Sequence, residues 1–302
     1  MNRDGILLLG GGFIGMALAR SLAAESRRVH IVTRRAAPVS NIDISVHVGD
    51  LADTALLKKL SSECSTVVHL ASTTLPGSSA RRPVRELDNL TPTLHLLQTL
   101  QHWESTHVIF LSSGGTVYGN PEENPVAETA PLLPLSYHGA GKVALESFLH
   151  AFRATGHTVT VLRPSNAYGP GQNLRTGFGL IRTLLEHARG GAPVEIWGDG
   201  ENIRDFVYID DVLEACKRFI DMPLDSDTYN LGSGVGHSIN QVLRIIEAEC
   251  GTNLRKVYRP ARKMDVREVV LDMSKLEARL SWRPQIKLEE GVRRVWEWLR
   301  ES

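Results

Sequence analysis

Short apolar runs recur along the first half of the chain, each bounded by glycine, serine or polar residues. They are "GILLLG" (5–10), "RVHIVT" (28–33), "ISVHVG" (44–49), "STVVHLA" (65–71), "THVIFLSS" (106–113) and "HTVTVLRP" (157–164). Short length and enrichment in Val, Ile and Leu mark them as strands. Near-continuous apolar character, rather than alternation, is the pattern of strands buried on both faces of a parallel sheet. Between them, 13–25, 53–62, 83–103 and 137–155 read as helices. Repeated β-α units of this kind predict an α/β fold, a doubly wound parallel sheet with helices on both sides.

The pattern changes after residue 165. "NAYGPGQNLRTGFG" (166–179) reads as a glycine-rich loop, followed by a helix at about 177–189 and the strand "VEIWG" (194–198). "RDFVYIDDVLEACKRFI" (204–220) reads as a strand or turn leading into a helix, "TYNLGSG" (228–234) as a strand, and 238–250 as a helix. A last helix carries Trp296 and Trp298. The expected division is a sheet domain over 1–165, with a segment near 205–240 returning to it. A smaller mixed α/β substrate domain over 166–302 would cover the sheet's C-terminal edge.

The first strand runs directly into "GGGFIG", so that Gly10-x-Gly12-x-x-Gly15 heads a βαβ unit. The first glycine permits the tight turn, the second lets the backbone approach a pyrophosphate, and the third lets helix and strand pack closely. The N–H groups of the helix start, including Phe13 and Ile14, then face the anion. This is a dinucleotide site on a Rossmann sheet. The second strand ends in Thr33, Arg34 and Arg35, with no carboxylate to hold a ribose 2′-OH. Two guanidiniums suit a 2′-phosphate, so NADP is the expected cofactor, with NAD the alternative. "VGDL" places Asp50 and Leu51 near the adenine, and "VVHLAS" places Leu70, Ala71 and Ser72 along the cofactor.

Composition narrows the classes. Of 302 residues, 42% are hydrophobic and 23% charged, and Lys+Arg and Asp+Glu balance at 34 each, so charge indicates neither nucleic acid nor a membrane surface. No apolar run reaches the length of a transmembrane helix, and the early glycines do not fit a signal peptide. Cys64, Cys216 and Cys250 lie far apart without metal-ligand spacing. They read as buried structural thiols of a reduced, cytoplasmic protein, with no metal site expected.

"GGGFIG", "GDL", "VVHLAS", Asn89, "FLSSGGTVYG", "LRPSNAYGPGQ", "GDGENIRDFVYIDDV", "YNLGSG" and "RKMDV" occur in the order found in one family. Over nearly its whole length the chain resembles the extended short-chain dehydrogenase/reductases, the NAD(P)-dependent epimerases and dehydratases of nucleotide sugars, in particular UDP-glucose 4-epimerase-like proteins. The family's usual Gly-x-x-Gly-x-x-Gly begins here at Leu9, so the Gly10–Gly12–Gly15 set must serve instead. The resemblance implies further cofactor contacts from Asn89 and Pro164. It implies chemistry by three groups: a Tyr acid/base, a Lys that holds the nicotinamide ribose and lowers the Tyr pKa, and a Ser or Thr on the reacting oxygen. Lys142 matches the Lys, and Ser136 and Glu146 match its flanking positions. That register puts His138, not Tyr137, in the tyrosine's place. Gly114 stands at the hydroxyl position, leaving Ser113, then Thr116, as candidates. No Asp-Glu pair follows, which argues against a 4,6-dehydratase. In the substrate half the resemblance implies diphosphate contacts from Asn166, Arg204 and Arg262, a ribose contact from Asp265, and Trp197 beside the base of a UDP-sugar. It also implies a homodimer through the helices at 83–103 and 137–155.

Successive helix residues are rotated by about 100°. Tyr137 and His138 therefore cannot both face the cofactor on a regular helix. His138 acts as the acid/base, or a bulged helix start carrying Gly139 and Gly141 swings Tyr137 inward, or the site binds ligands and turns over weakly or not at all. The resemblance implies a nucleotide-sugar 4-epimerase, the two arginines after the second strand favour an NADPH-dependent 4-keto nucleotide-sugar reductase as the alternative, and the third state of the site corresponds to a weak or inactive nucleotide-binding homologue.

Overall fold

Five consecutive apolar residues open the fold as a strand in which every residue is buried. The computed structural model of the chain describes residues 4–34, 44–61, 63–103, 106–175, 178–222, 225–262 and 265–301. The first elements are β1 (Gly5–Leu9), α1 (Phe13–Ala24), β2 (Val29–Thr33), β3 (Ile44–Val48), α2 (Thr54–Ser61), β4 (Cys64–His69), α3 (Pro76–Ser79), a 3-10 turn (Pro83–Glu86), α4 (Leu87–Leu100) and β5 (His107–Leu111). Next come α5 (Gly114–Val117), α6 (Tyr137–Ala154), β6 (Thr158–Pro164), β7 (Asn166–Tyr168), α7 (Leu180–Gly190), β8 (Val194–Trp197), β9 (Ile203–Tyr208) and α8 (Ile209–Ile220). The chain ends with β10 (Thr228–Leu231), β11 (Gly236–Ser238), α9 (Ile239–Cys250), β12 (Lys256–Arg259), β13 (Glu268–Val269), α10 (Ser274–Leu280) and α11 (Leu288–Glu301).

Two compact units result. The first comprises Met1–Ser112, Tyr137–Leu162 and Leu213–Tyr229. Its sheet runs β3-β2-β1-β4-β5-β6 with β10 beyond β6. The five pairings from β3 to β6 are parallel. This is the doubly wound order, and it reverses direction between β1 and β4, where ligands bind at the strands' carboxyl ends. Leu7, Leu9, Val67, Val108, Phe110 and Val161 form one core with Leu57 and Leu60 of α2, Leu96, Leu97 and Leu100 of α4, and Leu145, Leu149 and Phe152 of α6. The opposite-facing Ile6, Leu8, Ile31 and Val68 are buried just as deeply, which explains the unbroken apolar runs. On α6 the apolar residues recur at i, i+4 and i+7, each burial contributing about 1.5–3 kcal/mol. Truncating Leu149 to Ala would cost about 2–5 kcal/mol.

The second unit comprises Ser113–Ser136, Arg163–Val212 and Asn230–Ser302. Segment 113–136, which precedes residue 165, groups here, whereas 213–229 groups with the first unit. β9 is central, with β11 antiparallel on one side, β13 and β7 parallel to it, and a separate β12-β8 pair. The buried Asp205 carboxylate ties this unit together. It accepts hydrogen bonds from Ser233 N (2.7 Å) and Oγ (2.8 Å), Gly234 N (3.2 Å), Leu271 N (3.3 Å) and Ser165 Oγ (3.2 Å).

Several local expectations are corrected. The single helix expected over 83–103 is a 3-10 turn and then α4, the tighter turn being a common form of a helix N-terminus. The helix expected from about 177 starts at Leu180, after Gly179 in the left-handed region (φ 78°). The glycine-rich loop contains β7, whose three residues are too few for a pattern and which pairs with β9. Cys64 and Cys216 are buried thiols, but Cys250 is only partly covered. Among the described residues no helix is long and apolar enough to cross a membrane, and no His/Cys/Asp/Glu group could hold a metal ion.

Candidate active site

At the β1 turn, Gly10 has φ 117°, where a side chain would be strained. A Cβ there would also lie 2.8 Å from the Ala71 backbone. A Cβ on Gly15 would lie 1.9 Å from the Gly10 carbonyl oxygen. Gly12, by contrast, caps α1 in an extended conformation with open space around it and no side-chain cap bond. The first-turn N–H groups beginning with Phe13 and Ile14 therefore have no capping side chain, and a pyrophosphate fits the space that Gly12 leaves. Leu70 and Ala71 leave β4 beside this turn, the Leu70 N–H donating to Leu9 O at 2.9 Å. Ser72 Oγ donates to Thr74 O at 3.0 Å. Asp50 is exposed and accepts from Ala52 N at 3.0 Å, while Leu51 packs on the core. Arg34 is exposed immediately after β2. Arg35 lies outside the described residues.

Helix α6 carries the buried polar stripe of this unit. His138, Lys142 and Glu146 are spaced i, i+4 and i+8 on one face and are each 8% exposed, whereas Tyr137 is 47% exposed. No bulge turns Tyr137 inward: it is the first residue of the helix. Lys142 Nζ donates to Leu111 O at 2.7 Å and lies 4.7 Å from the Phe110 ring centroid. Burial lowers its pKa to about 8, against the attraction of Glu146 and Glu86. Ser112 Oγ donates to Glu146 Oε1. Burial, with help from Lys142, lowers the His138 pKa to about 4, opposed by Glu86.

Residues that carry no motif complete the cluster. His138 Nδ1 lies 3.0 Å from Thr74 Oγ1. The Thr74 hydroxyl donates to Glu86 Oε2 at 2.9 Å and accepts from Asn89 Nδ2 at 2.8 Å. Asn89 Oδ1 in turn accepts from Thr73 N at 2.7 Å and Thr73 Oγ1 at 2.9 Å. Ala71, Glu86, Asn89, His138, Gly141, Lys142 and Leu145 line one small cleft. Thr74, Glu86 and Ser112 escaped sequence reading. Only the three-residue spacing of Glu86 from Asn89 on one helical segment hinted at a shared face.

In the second unit, Ser113 caps the short α5 without a side-chain cap bond, and Thr116 Oγ1 donates to Ser113 O at 3.4 Å. A Cβ on Gly114 would lie 2.7 Å from both Arg163 O and Leu271 Cδ1, so packing has closed over the position. Pro164 is buried at the end of β6. Asn166 Nδ2 donates to Asp205 O at 2.8 Å. Trp197, Arg262 and Asp265 come together. The Arg262 guanidinium sits 4.9 Å from the indole centroid and its Nε donates to Asp265 Oδ2 at 3.0 Å. Arg262 and Asp265 line a pocket of about 280 Å³ with Gly198, Asp199, Asn202, Ala261 and Arg267. Arg204 donates instead to the carbonyls of Ile203 (2.8 Å), Val266 and Arg267 (3.4 Å), and burial lowers its pKa.

Comparison with known proteins identifies the family. The pattern of the NAD dependent epimerase/dehydratase family matches residues 6–232. A putative UDP-glucose 4-epimerase of Methanocaldococcus jannaschii is 31% identical over 304 residues, covering 98% of this chain and 99% of that protein. A dTDP-4-dehydro-6-deoxyglucose reductase of Escherichia coli is 29% identical over 302 residues, covering 96% of each. The crystal structure of UDP-glucose 4-epimerase from Thermotoga maritima with UDP-glucose superposes with a TM-score of 0.91 at 32% identity, covering 98% of this chain and 99% of that one. With its sheet order, glycine cradle and length-wide similarity, this chain belongs to the NAD dependent epimerase/dehydratase family and is an NAD(P)-dependent enzyme of the epimerase/oxidoreductase class.

Proposed function

We propose that the protein is a nucleotide-sugar 4-epimerase in which His138 takes the acid/base role and Lys142 supports it. The observation that carries this reading is the i, i+4 placement of His138 and Lys142 on the buried face of α6 with Tyr137 turned outward. With its pKa lowered to about 4, His138 is neutral near pH 7 and can accept a proton from a sugar hydroxyl. Lys142 remains cationic below about pH 8 and favours the deprotonated oxygen. NAD(P), when bound, would supply reversible hydride transfer at the sugar carbon. Gly10, Gly12, Phe13, Ile14 and Gly15 would hold its pyrophosphate, Asp50 and Leu51 the adenosine, and Leu70, Ala71, Ser72, Asn89 and Pro164 the remaining cofactor surface, with Lys142 on the nicotinamide ribose. Arg34 and Arg35, with no acidic residue at the end of β2, favour NADP. In the second unit, Trp197 would carry the base of a UDP-sugar, Asp265 its ribose, and Arg262, Arg204 and Asn166 its diphosphate. Ser113, or Thr116 after it, remains the candidate for the hydroxyl on the reacting oxygen.

The arginines after β2 and the similarity to the Escherichia coli reductase favour a second reading, an NADPH-dependent 4-keto nucleotide-sugar reductase. Exposed Leu87 and Leu94 on α4 and Phe148 on α6 support a homodimer through these helices. Three cysteines far apart in sequence and without metal-ligand spacing fit a reduced, cytoplasmic compartment. Product stoichiometry tests the choice. Isomer exchange at C4 without net cofactor change is expected; NADPH consumed in proportion to substrate identifies the reductase, and no turnover with any UDP- or dTDP-sugar overturns both.

A further inference from the structure

We propose that Thr74 and Glu86 are positioning residues that hold His138 in the Nδ1–H tautomer and so leave Nε2 as the basic nitrogen. The inference rests on His138 being the acid/base, and it follows from counting protons around one hydroxyl. The Thr73 backbone N–H can only donate, so the Asn89 atom it meets is Oδ1. Asn89 therefore presents Nδ2, a donor, to Thr74 Oγ1 at 2.8 Å. A threonine hydroxyl has one proton and two lone pairs. Its proton goes to Glu86 Oε2 at 2.9 Å, where a carboxylate accepts. One lone pair takes the Asn89 donor, so the remaining partner, His138 Nδ1 at 3.0 Å, must donate. Nε2 then carries the free lone pair.

Two further observations show that the carboxylate is built into this place. Glu86 is buried, and its Oε1 has no hydrogen-bond partner among the described residues, a cost that folding alone does not require. Position 141 is glycine, and a Cβ there would lie 2.7 Å from Glu86 Oε2, so α6 makes room for the carboxylate one turn from His138. When Nε2 takes a proton, the imidazolium keeps its Nδ1–H on Thr74 and gains the field of the Glu86 charge. When the proton returns to the sugar oxygen, the starting tautomer is restored. Lys142 faces the same ring and opposes its charging, and Lys142 is itself faced by Glu146, Glu86 and His69.

The decisive measurement is a long-range ¹H–¹⁵N correlation spectrum of the cofactor-free protein labelled with [¹⁵N]histidine at pH 7. The His138 signals are identified by their loss in His138→Gln. The expected result is an unprotonated Nε2 and a protonated Nδ1 in the wild type. Thr74→Val should give a tautomer mixture and lower kcat about 10²-fold, with Thr74→Ser restoring both. Glu86→Gln should lower kcat with little change in KM and move the acid limb of the rate profile to lower pH, since a negative neighbour of His138 is removed. A wild-type Nε2–H tautomer, or equal effects of Thr74→Val and Thr74→Ser, overturns the proposal. The two readings fail separately: if His138→Phe leaves turnover unchanged the acid/base assignment is lost, whatever tautomer the spectrum shows.

Discussion

Tyr137 and His138 are consecutive, yet one ring is 47% exposed and the other 8% exposed at the start of a regular helix. Adjacent positions on a helix differ by about 100°, so burying one turns the other away. His138→Phe, which keeps an apolar ring but no titratable nitrogen, is expected to lower kcat about 10²- to 10⁴-fold. Tyr137→Phe should leave kcat within about twofold. Steady-state kinetics with the preferred sugar checks both, and a larger effect at Tyr137 than at His138 would reverse the assignment.

The acid/base role proposed for His138, with Lys142 beside it, predicts a pH dependence for the free enzyme. His138 must be neutral to accept a proton, so kcat/KM should rise with pH through about 4. Lys142 must be charged, so the rate should fall as pH rises through about 8. The expected profile is a bell with its plateau between these limbs, far broader on the acid side than an exposed imidazole would give. Lys142→Met should remove the alkaline limb along with most of the activity. An acid limb near 6.5 would mean that His138 is solvated.

Acid should also weaken the fold. Burial lowers the pKa of His69 to about 3 and of His107 and His138 to about 4. Their unfolded forms take up protons near 6.5, so between that pH and about 4 the unfolded chain binds more protons than the folded one. Stability is therefore complete above 6.5 and is lost as pH falls through this window, by up to about 3 kcal/mol for each ring at pH 4. Thermal melts from pH 7.5 to 4 should show Tm falling, and the fall should shrink in His107→Gln. The His107 ring bonds Thr160 Oγ1 at 2.8 Å, a contact that an amide can imitate.

Much of this arrangement was legible because local chemistry and tertiary demand agree. β1 is apolar at every position since both of its faces are covered, and Gly10 and Gly15 are glycine since a Cβ at either would meet backbone. The Ser136, Lys142 and Glu146 register pointed to His138 through the family resemblance, and i, i+4 spacing then puts His138 and Lys142 on one helix face. Thr74 and Glu86 were not legible. Thr74 lies 64 residues from His138 and Glu86 lies 12 from Thr74, and only the packing of the 3-10 turn against α6 brings them together. β7, β11 and β13, of two or three residues each, likewise owe their existence to β9 rather than to any periodicity of their own.

The proposed preference for NADP rests on the end of β2. Arg34 is exposed directly after Thr33, and Arg35 follows it in sequence. Arg34→Ala combined with Arg35→Ala should raise the Kd for NADPH at least about tenfold, the loss of one or two charge-assisted phosphate contacts, and change the Kd for NADH less than about twofold. Fluorescence titration of the two reduced cofactors reads this directly. Equal losses for both would show that the guanidiniums do not meet a 2′-phosphate.

Restoring the missing hydroxyl should fail for a steric reason. The family's serine position is Gly114, but a Cβ there would lie 2.7 Å from Arg163 O, 2.7 Å from Leu271 Cδ1 and 3.0 Å from Leu271 Cδ2. The Leu271 side chain could move only by disturbing a core in which it is 1% exposed, and the Arg163 carbonyl belongs to β6 and cannot yield. Gly114→Ser is therefore expected to destabilise the protein by about 1–3 kcal/mol, a typical overpacking cost, and to lower Tm by several degrees without raising kcat. The same should hold in a His138→Tyr background, where a rescued tyrosine–serine pair would otherwise be expected to work together. A Gly114→Ser protein that melts like the wild type and turns over faster would mean that this region repacks readily. The absent serine would then reflect no steric exclusion at position 114.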